Sequence, residues 1–378
     1  MSDKTIVNWY DLKDYEILYI NKDVMRNLIN KGIKKAGSLS KLMLELNSGH
    51  VYNILRNNSG FSIKNLKKLL EFLGLDYTFL NGKIIEVRKG EKYSIRNPKF
   101  PINLQNPKMG GLSGHLVSDG CLYYDKSRED LIRTEYCSDE REAICMFMSN
   151  LTDVFGDVHF NEEFERNCIQ IRMGSGIVGE AFKRAGVTVG KKYKLNNGLP
   201  WIVKDGSKEM KRSYLSAIFD DEGSVGRNPC PYIILSRSIH CTFTDKEKQT
   251  LHKQVVPLMK TRFFPTGHSQ NRIPIRKLKE ILIEINAKLL LMKILNSKPE
   301  LLVDESKLLK DYFGITNYTY VISFDLTDKG SYSVASSLVI RNKKDVMKFY
   351  NDIGFSLTKK QKKLKEALTG RKWLDYGA

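Results

Sequence analysis

Two short runs each end in an acid followed by glycine. "LSGHLVSDG" at 112–120 closes on Asp119, and "LSAIFDDEG" at 215–223 closes on Glu222, 103 residues later. A helix C-terminus is the wrong end for a negative charge, because the macrodipole opposes it. Two such ends side by side repel, which pushes both carboxyls toward protonation. A divalent cation between them relieves both problems. Mg²⁺ accepts a few carboxylates together with waters and a phosphate oxygen. Against a phosphodiester it can activate water and steady the leaving oxygen. Asp119 and Glu222 are therefore the candidate catalytic acids and metal ligands, for Mg²⁺ or another divalent cation such as Mn²⁺.

Those acids need two helices in close contact. Read as helices, the runs place Gly110, Gly114 and Ser118 four apart on one face, and a shift of 103 gives Ser213, Ala217 and Asp221. Small residues on facing stripes let two backbones approach. Leu112, Leu116, Leu215, Ile218 and Phe219 can enter the cores on either side. Gly120 and Gly223 suit a left-handed helix stop.

The segments downstream repeat. A helix over 108–119 leads to strands "CLYY" and "LIRTEYC", a helix from 138 to 155, strands "VHF" and "CIQIRM", and the helix "GIVGEAFKRAGV". That αββαββα order returns after Met210. "AFKRAGV" at 181–187 echoes "FYNDIGF" at 349–355, 168 residues on, so the second copy carries an insertion of about 65 residues near 265–312. A period this long marks a duplicated domain rather than a solenoid. The expected fold class is α+β: a duplicated αββαββα unit with pseudo-two-fold symmetry. The expected divisions are an N-terminal domain over 1–95, a proline-bearing linker over 96–107, a first repeat over 108–204 and a second over 205–378.

The N-terminal part is expected to be all-α around 24–75. Ser38 and Ser62 are helix caps, Gly74 is a stop, and a small hairpin follows Leu75. "SLSKLMLEL–NSG–HVYNILRN" resembles the bihelical unit of Cro/repressor-type helix-turn-helix domains. That resemblance implies that His50, Tyr52, Asn53 and Arg56 face the major groove. Residues 24–75 hold nine Lys and Arg against two acids, which suits that role.

"YLSAIFDDEGSV" and, more loosely, "MGGLSGHLVSDGCLYY" resemble the two motifs of the LAGLIDADG homing endonucleases, and the likeness extends over roughly residues 105–370. It implies two sheets forming a saddle over the DNA major groove, with the motif helices at the central interface. It also implies that Asp119 and Glu222 bind metal. The family places a basic residue near each scissile phosphate; Lys329 in "TDKGS" and Arg166 in "FERNC" are the candidates. The strands supply the DNA-reading candidates Arg133 and Glu135, and Ser236, Ser238 and His240 or their alternates. Two departures stand out: His115 occupies a usually apolar position, and Val117 replaces a frequent acid.

Composition agrees with a polyanionic partner. The chain carries a formal net charge of +19 over 378 residues, and each Lys or Arg on a phosphate releases condensed counterions. Six cysteines form no C-x-x-C pair and six histidines no H-x-x-x-H spacing, so no zinc site is expected. No apolar run reaches membrane-spanning length, and an intracellular protein acting on the genome is expected. A self-splicing, intein-resident form is not expected. The expected function is a monomeric, site-specific DNA endonuclease making double-strand breaks. The alternatives are a DNA-binding regulator on a retired endonuclease scaffold, and a maturase that takes structured intron RNA. Retention of both acids favours cleavage.

Overall fold

The computed structural model describes residues 4–49, 51–57, 59–89, 92–126, 128–165, 167–227, 230–263, 269–327 and 329–369. It is a mixed α+β architecture with antiparallel sheets.

The N-terminal helices form where their caps predict. Ser38 accepts from the Lys41 amide at the start of Leu39–Glu45, and Ser62 from Asn65 at the start of Ile63–Leu73. Lys22–Ala36 is capped by Asn21 and stops at Gly37, in the left-handed region at φ 88°. Helix Val51–Asn57 buries Val51 and Ile54.

This region is not all-α, which corrects the expectation. Strands Phe61–Ser62, Ile17–Ile20, Ile84–Lys89, Lys92–Arg96 and Asp157–Val158 make one five-stranded sheet in that order. The last strand comes from the first acidic-motif half, so the N-terminal region is woven into it. The segment expected as a linker is also packed. Phe100, Ile102 and Leu104 are buried, and Ile102–Asn103 pairs with Ile6–Val7. Their alternation is a strand signal that the surrounding prolines obscured.

The first motif helix, Pro107–Val117, runs into a four-stranded sheet ordered Phe160–Glu165, Cys168–Met173, Arg128–Ser138, Gly120–Asp125. The second, Lys208–Glu222, runs into a six-stranded sheet ordered Gly223–Gly226, Tyr232–His240, Tyr332–Ile340, Tyr318–Thr327, Ser269–Pro274, Lys260–Phe263. The inserted segment begins earlier than expected. A hairpin, Lys260–Phe263 with Ser269–Pro274, extends the sheet before helices Ile275–Glu284, Lys288–Asn296 and Glu300–Phe313. One apolar core runs from Val7 to Ala367 through both motif helices and takes in Leu302, Leu308, Leu309 and Phe313 of the helix Glu300–Phe313, and a second lies under the helices Ile275–Glu284 and Lys288–Asn296.

Candidate functional site

The two motif helices touch backbone to backbone. A Cβ on Gly110 would lie 2.3 Å from the Met210 carbonyl oxygen, and one on Gly114 would lie 2.8 Å from the Tyr214 oxygen and 2.9 Å from the Ala217 Cβ. A Cβ on Gly111 would meet the Ser213 oxygen at 3.6 Å. Gly110, Gly114, Ser213 and Ala217 thus meet at the helix contact. Ser118 lies one residue past the helix end. Asp221 contributes as a hydrogen-bond acceptor. The His115 Nδ1 lies 3.0 Å from both of its oxygens, and the Tyr136 hydroxyl donates to it at 2.8 Å. His115 and Tyr136 belong to the first half and Asp221 to the second, so this buried polar cluster joins them. The apolar position that His115 replaces is filled by a polar contact across the interface.

Each motif helix ends on a lysine. The Lys192 Nζ donates to the carbonyls of Leu116 at 3.1 Å, Val117 at 2.8 Å, and Ser118 and Gly120 at 2.6 Å. The Lys360 Nζ donates to Phe219 at 3.3 Å, Asp221 at 3.4 Å, Gly223 at 2.8 Å, and also Asp220. A cation at a helix C-terminus satisfies orphan carbonyls and the macrodipole together. Burial lowers the pKa of both lysines, and neighbouring acids oppose that shift. Sequence reasoning missed both residues. A signal was present: they lie 168 residues apart, the spacing of the "AFKRAGV" and "FYNDIGF" echo.

The glycines after the acids act differently from expected. Gly223 is extended at φ −78°, and Gly120 is the first residue of a strand; neither is a left-handed stop. A Cβ on Gly120 would lie 2.8 Å from the Glu135 oxygen, and one on Gly223 would lie 2.5 Å from the Phe219 oxygen. Close approach, not backbone freedom, demands glycine there.

The two acids meet different surroundings. Asp119 sits in the turn two residues beyond its helix and is exposed. Desolvation by the dense junction, then the charges of Asp221 and Glu222, raise its pKa to about 7 against the pull of Lys192 and Lys360. Glu222 ends its helix and is three-quarters buried. Both its oxygens accept from the Arg237 Nη1 at 3.0 Å. Arg237 also donates through Nε and Nη2 to Glu305, at 2.6–3.1 Å, and the Tyr214 hydroxyl donates to Glu305 at 3.1 Å. Burial pushes the Glu222 pKa up while Arg237 holds it back.

These residues do not fit the expected divalent cation. The guanidinium occupies both Glu222 oxygens.

A cleft of about 550 Å³ opens beside the junction, with Lys192, Glu222, Arg237, Ser236, Ser238, Arg262 and Arg272 among its lining. Ser236 and Ser238 are exposed on one strand face, and the Ser236 Oγ lies 2.7 Å from the Ser337 Oγ. His240 shares that face and is half-buried. Arg272 pairs with the buried Asp325 at 2.8 Å. In the first sheet Arg133 and Glu135 point outward, each already matched: Arg133 to Asp125 at 2.7 Å, Glu135 to Tyr123 at 3.0 Å and Arg172 at 3.3 Å. Tyr52, Asn53 and Arg56 are exposed.

Lys329 is not brought to the acids. Gly223 is level with Leu235, Leu338 and Thr319 across the sheet. The hairpin carrying Lys329 lies beyond Tyr332, roughly 20 Å along the strand at 3.3 Å per residue. Arg166 and His50 lie outside the described residues.

No protein-family model and no curated protein matches this chain. Among solved structures, it is similar to full-length DUF199/WhiA from Thermatoga maritima, at TM-score 0.33 and 13% identity, over 70% of this chain and 60% of that one. It is also similar to mesophilic variants of the homing endonuclease I-DmoI, at TM-score 0.32 and 10% identity over 69% and 97%. A third is the meganuclease I-SmaMI bound to uncleaveable DNA, at TM-score 0.30 and 11% identity over 70% and 90%. The chain therefore spans less than two thirds of the WhiA structure.

Proposed function

We propose that this chain binds duplex DNA in a sequence-selective manner without making double-strand breaks. One observation carries the reading: exposed hydroxyls of Ser236 and Ser238 line a cleft that also presents Arg262 and Arg272. Cations of this kind position a duplex through its phosphates, and short hydroxyls can reach base edges. The duplicated αββαββα plan is supported by the matching strand orders of the two sheets and by the twin lysine caps. Tyr52, Asn53 and Arg56 lie on an open face of their helix, as a helix-turn-helix contact to flanking DNA requires.

The endonuclease reading remains second, favoured by the open carboxylate of Asp119. It loses ground because the Glu222 carboxylate is already taken by Arg237. The deciding experiment selects a site from a random duplex pool in EDTA, then adds plasmid carrying that site with Mg²⁺ or Mn²⁺. Selective binding without nicking is expected, and Arg262→Ala should lower the salt slope by about 1. Strand cutting that Asp119→Asn abolishes would restore the endonuclease. Preference for a structured RNA over the duplex would move the partner to RNA.

A further inference from the structure

We infer that helix Glu300–Phe313 closes the second acidic centre with a carboxylate–guanidinium lock, so that Glu222 is a structural anion rather than a metal ligand. Arg237 is the centre of the lock. Its side chain is 7% exposed, and Nε, Nη1 and Nη2 are all directed at carboxylates. Glu305, wholly buried, is the partner that fixes it. Glu305 lies on helix Glu300–Phe313, which leads into the strand Tyr318–Thr327 and buries Leu302, Leu308, Leu309 and Phe313 in the main core.

The same helix is clasped to the first half. The Glu300 amide donates to the Asn196 Oδ1 at 2.9 Å, and the Leu199 amide to the Asp304 Oδ2 at 3.2 Å. The 196–199 turn follows directly on the segment that carries Lys192. One helix therefore holds the arginine against Glu222 and ties that arrangement to the opposite half.

Electrostatics makes the lock exclusive. Two carboxylates, Glu222 and Glu305, share one guanidinium. A cation arriving at Glu222 would either displace the Nη1 that bonds both oxygens or share the carboxylate with it, and would place its own charge close to that of Arg237. A buried pair that loses one partner leaves an uncompensated charge. Mg²⁺ is also reluctant to shed its waters. Removing the guanidinium reverses the situation. Glu222 and Glu305 would then face each other across its vacated volume, beside the Tyr214 hydroxyl, as a hard-oxygen cation site.

The test is Mn²⁺ titration of the full chain, read by the electron paramagnetic resonance of free Mn²⁺, with thermal melting in the same solutions. The parent chain should show no Mn²⁺ uptake that depends on Glu222, and a melting temperature that excess Mn²⁺ does not raise. Arg237→Ala should melt lower, take up one Mn²⁺ and recover part of its loss when Mn²⁺ is present. Adding Glu222→Gln should cancel that recovery. Uptake by the parent chain that Glu222→Gln abolishes would overturn the lock; uptake that survives it leaves the lock standing. The parent titration decides the matter even if Arg237→Ala does not fold. Failure of DNA binding in EDTA would remove the proposed function and leave this metal result untouched.

Discussion

Asp119 and Glu222 were legible as a pair of acids, but their fates depend on partners far away in sequence. Glu222 is set by Arg237 and, through it, by Glu305, 68 residues beyond that arginine. Arg237 itself was half legible. In the strand Tyr232–His240 it shares a register face with Ile233, Leu235 and Ile239, which are buried. An arginine on a buried face needs an anion, and the alternation signals that need without naming the partner. Asp119 supports a prediction of its own. Its folded pKa of about 7 lies above the ordinary 3.8, so the folded chain holds this proton more tightly than the unfolded one. Stability linked to the group is complete below about pH 4 and declines as pH rises through 7. Asp119→Asn removes the decline. Its melting temperature should match the parent at pH 4 and exceed it at pH 8, by on the order of 1 °C because the group is exposed and screened. A parent and variant that melt alike across this range would contradict the assignment.

The motif helices were the most legible elements, because small residues four apart announce a close crossing. The contact found at Gly110, Gly114, Ser213 and Ala217 depends on having no side chain in the way. Gly114→Val should force the helices apart and cost about 1–3 kcal/mol, measured by urea unfolding. Wild-type stability in that variant would mean that the helices do not meet there. The helix ends were less legible. The first helix stops at Val117, leaving Asp119 in a turn, whereas the second runs on to Glu222, although a lysine gathers the last carbonyls of both. The hairpin expected after Leu75 is present as Ile84–Lys89 with Lys92–Arg96, but the rest of the N-terminal sheet was missed for a physical reason. Its remaining strands, Ile17–Ile20, Phe61–Ser62 and Asp157–Val158, have four residues or two and pair with partners far away in sequence, so no local period reports them. The inserted hairpin escaped notice in the same way: strand Lys260–Phe263 has four residues.

At the scale of the molecule, the excess positive charge is unevenly spread. The outward face of the first sheet is largely neutralised, with Arg133 on Asp125 and Arg172 on Glu135 and Glu163. Its edge strand Phe160–Glu165 adds Glu162, Glu163 and Glu165. The surplus sits in the N-terminal helices, in residues 245–299, which hold twelve Lys and Arg against four acids, and in helix Thr358–Thr369, which has five lysines and one glutamate. A duplex should therefore be gripped most strongly by the N-terminal region and the second half. Among the described residues no helix is long and apolar enough to cross a membrane. Under the proposed function the full chain holds a duplex through these cations and needs no divalent ion to do so. Fluorescence anisotropy of the selected duplex in EDTA, from 50 to 200 mM salt, tests it most directly. A protein contacting six or more phosphates should lose about 10³-fold or more in affinity over that range while still preferring its selected site to a scrambled one. Binding that ignores salt and sequence, or that occurs only when Mg²⁺ is added, would contradict the account.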